Sequence, residues 1–131
     1  MEKKEKAELQ KAWLESAVED LKTAEELFNL GRFSGCLFFC HLIIEKTLKA
    51  IYIKVNDIYP PPTHKLINLA TLSKIKLDKE LKLYLTEITT FNVEARYDIF
   101  KEKLYKKATR EFTQKYLDIA KNIFVKFKKL I

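Results

Sequence analysis

The polar residues that could do chemistry are concentrated in one stretch that is otherwise apolar. His41, Glu45 and Lys49 recur at steps of four residues, so on an α-helix they share one face. A buried polar group without a partner costs about 1–3 kcal/mol, and Glu45 and Lys49 can satisfy each other as an i, i+4 ion pair in the favourable order. Two interpretations stay open: an ion pair internal to the helix, or a polar stripe that faces a cleft.

A second candidate is His64, which directly follows the run Pro60-Pro61-Pro62-Thr63. The pattern predicts that His64 opens a short helix capped by Thr63, where free backbone N–H groups attract anions. His64 could therefore serve as an acid/base or phosphate-contacting group. The alternative is a histidine that only supports the local cap.

The polar and aromatic segment that begins at Asn92 supplies the remaining candidates. The sequence predicts a loop here, and loops held by a rigid scaffold often carry sites. The planar guanidinium of Arg96 could clamp a phosphate, and Tyr97 could stack on a base. Alternatively, Arg96 bonds to helix-end carbonyls or to Glu45.

Several other kinds of site are absent from the sequence. It contains no glycine-rich dinucleotide motif, no P-loop and no GxSxG motif. His41 and His64 are the only histidines, which excludes a multi-histidine metal site within one chain. Cys36 and Cys40 lie four apart in an apolar run and are predicted to be small buried thiols rather than a disulfide or zinc ligands. We therefore expect no metal and no other cofactor.

Length and charge indicate a single domain with a basic C-terminal part. The 131 residues carry a net charge of +7, with five lysines against eight acidic residues in 1–31, and eleven basic against five acidic residues in 93–131. Such a surface permits RNA, nucleotide phosphate or an acidic partner. The charged first residues predict no signal peptide, and the longest apolar run is too short to span a membrane. A cytoplasmic protein is expected.

Hydrophobic periodicity predicts an all-α fold. Only two glycines and three prolines interrupt the chain, and apolar residues recur at steps of three and four. The pattern predicts helices over 4–29, from a cap at Ser34 to near Asn56, over 64–73, from Asp78, and over 106–129, with 92–105 mainly a loop. Short connections favour antiparallel neighbours. We expect residues 1–131 to form one up-and-down antiparallel bundle of four long helices and one short helix.

Four segments, taken in order, resemble the HEPN family of prokaryotic proteins. They are Trp13 with Ala17, Asp20-Leu21 and Ala24; Gly31-Arg32-Phe33 followed by the run from Cys40 to Ala50; Pro62 to Leu66; and Asn92 to Tyr97. Together they extend over most of the chain with consistent spacing. The resemblance implies a helical bundle that forms homodimers. It also implies association with small nucleotidyltransferases, in two-component systems described as toxin and antitoxin.

The resemblance also bears on whether the protein is an enzyme. Many HEPN relatives are ribonucleases whose site is an arginine followed four to six residues later by a histidine. No histidine follows Arg96 in this chain. We therefore favour a nucleotide- or RNA-associated subunit that docks a nucleotidyltransferase over a ribonuclease toxin with a non-standard site across a dimer. A purely scaffolding bundle is the third hypothesis.

Overall fold

The computed structural model describes residues 1–131 as six helices without a strand. They are α1 (Lys3–Asn29), α2 (Phe33–Asn56), α3 (Leu66–Leu72), α4 (Lys79–Arg96), α5 (Asp98–Lys107) and α6 (Arg110–Lys128). The all-α bundle and its four long helices are confirmed, and a second short helix, α5, joins the expected one. No helix is both long enough and apolar enough to cross a membrane.

The bundle is built around α2. This helix packs against each of the other five helices, and 14 of its 24 residues are buried, including both cysteines. The sequence of this helix is apolar on nearly every side, which indicates either the centre of a bundle or a helix that a partner also covers, and α2 does lie at the centre. Because the chain's own helices cover α2, its apolar surface does not by itself require a second copy. The homodimer stays a prediction from the family resemblance.

A tight turn joins the first two helices. α1 ends at Asn29, and Gly31 adopts a left-handed conformation with φ of 74°. The N–H of Arg32 then donates to the carbonyl of Leu27 at 2.8 Å, which closes the turn. This geometry favours glycine because a Cβ is strained at positive φ. The turn sets α1 antiparallel to α2.

The prediction that residues 92–105 form mainly a loop was wrong. α4 continues to Arg96, and only Tyr97 separates it from α5. The last helix accordingly starts at Arg110, not at residue 106. The periodicity was obscured because polar Glu94 points inward, where Lys107 Nζ lies 3.2 Å from both of its carboxylate oxygens, whereas apolar Ile99 is exposed. The candidate Arg96 therefore lies on a helix, not in a loop.

Two predicted helix starts also need correction. α2 begins at Phe33, and Ser34 does not cap it. α3 begins at Leu66, so His64 lies in the preceding loop and does not open a helix. The Thr63 hydroxyl accepts the N–H of Lys65 within this loop, because the proline run holds the backbone extended until that point.

Candidate functional site

Glu45 is the centre of a buried polar cluster. Its side chain is 6% exposed, its Oε1 accepts a hydrogen bond from His64 Nδ1 at 2.7 Å, and its Oε2 accepts one from Lys49 Nζ at 3.1 Å. The predicted i, i+4 pair with Lys49 is therefore present. The structure adds His64, which comes from the loop before α3, so the stripe on α2 is both an internal pair and part of a larger cluster.

The tautomers of both histidines follow from their partners. A carbonyl only accepts hydrogen bonds, so His41 Nε2, 2.9 Å from the His64 carbonyl oxygen, carries the hydrogen. His41 Nδ1 is then an acceptor in the neutral ring, and it is buried without a partner. The ionised Glu45 likewise requires a hydrogen on His64 Nδ1, which leaves His64 Nε2 free. The His64 side chain is 45% exposed, so this nitrogen belongs to the part of the cluster that solvent reaches.

Burial and charge act in opposite directions on the carboxyl group of Glu45. Burial raises its pKa, but the hydrogen bond from His64 and the positive charges around it outweigh burial, and the pKa of Glu45 lies below its ordinary value. Burial dominates at His41 and lowers the pKa of that imidazole. At neutral pH, Glu45 is therefore ionised and His41 is neutral.

Arg96 lies in the last turn of α4. Its Nε donates to Oδ1 of the buried Asn92 at 2.6 Å, and its guanidinium carbon lies 5.9 Å from the centre of the Phe38 ring. Asn92 is thus the partner of Arg96, in place of the helix-end carbonyls or Glu45. The Arg96 charge contributes to the lowered pKa of His41, which places both in one electrostatic environment. The terminal N–H groups of Arg96 stay available for an anion.

The structure places six of the seven predicted site residues in two hydrogen-bonded groups. His41, Glu45, Lys49 and His64 form the polar cluster, and Asn92 with Arg96 forms a separate pair. Tyr97 is 59% exposed and bonds to none of them through its side chain.

Sequence reasoning missed two residues beside the cluster. Trp13 of α1 lies under the Lys49 ammonium, 5.1 Å from ring centre to Nζ, although the sequence indicated Trp13 as part of the family resemblance and not as a site residue. Thr89 of α4 accepts the N–H of Leu66 at 3.4 Å and so links α4 to the start of α3. No spacing in the sequence pointed to this second contact. No group of His, Cys, Asp and Glu side chains is arranged to hold a metal ion.

The titration of this cluster predicts that the fold loses stability in acid. The pKa of His41 is lower in the folded than in the unfolded chain, so the unfolded state binds more protons as the pH falls below the ordinary value of 6.5. Glu45, whose pKa is also lowered, adds a second loss below its ordinary value of 4.5. We expect the free energy of unfolding, measured by urea denaturation, to fall as the pH is lowered through each of these two pH windows.

The variant His41→Gln isolates the first window. Its amide can still donate to the His64 carbonyl, but it does not titrate. The decline just below pH 6.5 should therefore flatten, while the decline at lower pH persists. An unchanged profile in His41→Gln would assign the first window to another group.

The fold and the site together define a class: a small antiparallel bundle whose central helix carries a His–Glu–Lys stripe, closed by a histidine from the next loop and flanked by an arginine. The model of the HEPN domain matches residues 10–130. The chain therefore belongs to the HEPN family, as its motifs predicted.

One solved structure is similar over nearly its whole length. The crystal structure of TT1696 from Thermus thermophilus superposes with a TM-score of 0.79 and 18% sequence identity, covering 93% of this chain and 98% of that one. At this identity the similarity shows the fold alone. No curated protein matches the chain.

Proposed function

We propose that this HEPN protein binds a nucleotide or RNA and acts as the partner subunit of a small nucleotidyltransferase, in a two-component system of the toxin–antitoxin kind. The observation that carries the proposal is Arg96. Asn92 and the Phe38 ring hold its guanidinium, and no carboxylate neutralises it. A positioned, unpaired guanidinium fits a phosphate with two parallel hydrogen bonds.

The polar cluster next to Arg96 supports the same function. His64 Nε2 has no partner within the chain, and in the neutral ring it accepts a hydrogen bond; the ring is partly exposed and Glu45 fixes its orientation. A ribose hydroxyl or a base N–H could donate to it. Lys49 is buried against Trp13 and Glu45, so we assign it to holding the carboxylate in place rather than to contacting the ligand.

Replacing Arg96 by glutamine tests the nucleotide site. Hydrogen bonds to charged groups contribute about 1.5–3 kcal/mol, so Arg96→Gln should weaken binding of ATP by about 10- to 100-fold. Isothermal titration calorimetry with ATP measures the change. Arg96→Lys keeps the charge but loses the planar fork. Its affinity for ATP should lie between that of the natural protein and that of Arg96→Gln.

A control for this change lies on the same helix. Lys79, at the start of α4, is exposed and forms no salt bridge, so Lys79→Gln removes one positive charge at the far end of α4 from Arg96. Binding of ATP should be nearly unchanged in this variant. The nucleotide site at Arg96 is wrong if both variants bind ATP equally well, or if the natural protein does not bind ATP.

The partner is tested through the neighbouring reading frame. A nucleotidyltransferase encoded beside this chain, co-expressed with it, should co-purify as a complex whose mass, measured by light scattering, includes two copies of this chain. A single unaccompanied chain would contradict both the partner and the homodimer.

Ribonuclease activity is the second candidate, and the pair of His64 and Glu45 favours it. A carboxylate that orients an imidazole and leaves its other nitrogen free is the arrangement of a general base. Here His64 would take the proton of a ribose 2′-hydroxyl, whose oxygen attacks the phosphorus while Arg96 binds the phosphate. The 5′-oxygen leaves and takes a proton from water. Incubation of the purified chain with RNA, followed on a denaturing gel, separates the candidates: cleavage supports the ribonuclease, and binding without cleavage supports the subunit.

A further inference from the structure

Arginine is rare in this chain and is placed in one region. The sequence contains 22 lysines and three arginines, Arg32, Arg96 and Arg110. Lysines such as Lys46 and Lys107 form most of the salt bridges, and none of the arginines forms one. Lysine therefore supplies nearly all the other positive charge, whereas the three guanidinium groups form no salt bridge with a carboxylate of the protein.

Arg32 and Arg110 line the same groove, which we name the arginine groove. It has a volume of about 1100 Å³ and lies where the turn before α2 meets the start of α6, and its wall also includes Phe33, Tyr105 and Lys106. No acidic side chain lines it. Lys106 is paired with Glu102 at 3.3 Å, so the uncompensated charge is that of the two guanidiniums. Two positive charges in one groove repel each other, and this repulsion lowers the stability of the fold unless an anion binds between them.

Aromatic rings hold one of these guanidiniums in position. The Arg110 guanidinium carbon lies 5.5 Å from the ring centre of Phe28 and 5.2 Å from that of Phe33. The two rings pack on each other with centres 5.4 Å apart. Stacking uses the faces of the guanidinium and leaves its N–H donors free in the plane, which is the presentation that binds phosphate.

The arginine groove continues toward Arg96. A second groove, lined by Phe38 and Ala95, shares Ser34, Gly35 and Tyr105 with it. Phe38 is the ring on which Arg96 stacks. Phe33 and Phe38 lie about 7.5 Å apart along the axis of α2 and about 140° apart around it, so the residues common to both grooves, not these two rings, connect them. The two grooves are thus contiguous through these shared residues. Arg96 borders the second groove through its contact with Phe38, and Glu102, which is paired with Lys106, also lines that groove.

We propose that the arginine groove binds the phosphodiester backbone of a single-stranded RNA whose next nucleotide lies at Arg96. This rests on the proposed function in placing a nucleotide at Arg96, and it adds a second site in the arginine groove. Separated phosphate contacts with aromatic rings between them suit an extended strand, on which bases stack while arginines bind the backbone. A mononucleotide would fill only the Arg96 end. Tyr105, which is 75% exposed, offers a ring for stacking.

The test compares an oligonucleotide with a mononucleotide. In Arg32→Gln/Arg110→Gln, binding of a labelled single-stranded oligouridylate, measured by fluorescence anisotropy, should weaken by at least about tenfold. The slope of log affinity against log salt should fall by about 1.4, at about 0.7 for each lost phosphate contact. Binding of ATP should change little in the same variant. Arg96→Gln should weaken both.

Two further variants serve as controls. Lys3→Gln/Lys4→Gln removes the same charge from exposed positions that form no salt bridge and lie outside the groove, and it should leave oligouridylate binding within about twofold. Arg32→Lys/Arg110→Lys keeps the charge and the salt slope, but it should bind several-fold more weakly because the planar fork is lost. Thermal unfolding followed by circular dichroism checks that each variant is folded.

The outcomes separate this inference from the proposed function. If oligouridylate binds but the arginine-to-glutamine pair behaves like the lysine pair, the arginine groove is not a phosphate site. If the arginine pair weakens oligouridylate binding while ATP binds to no form of the protein, the groove stands and the nucleotide site at Arg96 fails. If poly-glutamate displaces the oligonucleotide at equal or lower charge concentration, the groove fits an acidic protein, and the RNA assignment is wrong. If the protein binds neither ligand, both proposals are wrong.

Discussion

Replacing Glu45 by alanine is expected to lower the free energy of unfolding by about 3–5 kcal/mol, the cost of removing one partner from a buried ion pair. The side chain of Lys49 is 10% exposed, so its ammonium would lose its carboxylate without gaining water. His64 would lose its acceptor as well, and it would keep only the hydrogen bond that its carbonyl accepts from His41. Urea denaturation followed by circular dichroism measures the difference.

The chain contains a matched control for this change. Glu102 and Lys106 form an ion pair with the same i, i+4 order on α5 at 3.3 Å, but their side chains are 76% and 74% exposed. Glu102→Ala should therefore cost no more than about 0.5 kcal/mol. In Glu45→Leu/Lys49→Met, apolar side chains replace both charges, and most of the stability should return. Equal losses in Glu45→Ala and Glu102→Ala would mean that Lys49 reaches solvent.

Replacing Phe91 by alanine should cost about 3–5 kcal/mol for a different reason, because it opens a cavity in the core. Phe91 is fully buried on α4, and its ring meets those of Phe112 and Tyr116 of α6 edge to face, with centres 6.0 and 5.4 Å apart. The contact fixes α4 against α6 one residue before Asn92. The loss is measured as the shift in the urea midpoint.

A phenylalanine on the surface provides the comparison. Phe100 of α5 is 38% exposed, so Phe100→Ala removes the same atoms from a position that is less completely packed, and it should cost about 1 kcal/mol or less. If Phe91→Ala cost as little, the three-ring contact between α4 and α6 would not contribute to stability as its burial implies.

The sequence predicted the long helices well because their apolar stripes obey helical spacing. The apolar residues of α2 appear on all its sides, and this pattern indicated a helix at the centre of the bundle. The prediction failed between α4 and α5, where Asn92 and Glu94 are buried and Tyr97 is exposed. There, polar groups satisfied inside the fold break the relation between hydrophobicity and burial on which periodicity depends.

The candidate site was predicted by residue type but not by arrangement. His41, Glu45 and Lys49 share a helix, so their common face follows from spacing alone. The contact between Glu45 and His64 depends on how the proline-rich loop folds back onto α2, and no local pattern encodes that path. The pairing of Arg96 with Asn92 has the i, i+4 spacing of a helix, but it could not be foreseen once the segment was taken as a loop.

The central position of α2 has a consequence for how the protein is made. α1 and α2 are neighbours in sequence and are joined by a short turn, so they can pair as a helical hairpin soon after both have left the ribosome. That hairpin still leaves uncovered the side of α2 against which α6 packs, and α6 is synthesised after the other five helices. The nascent chain therefore exposes one side of the most apolar helix of the bundle until α6 has been synthesised, and exposed apolar surface of this kind favours aggregation.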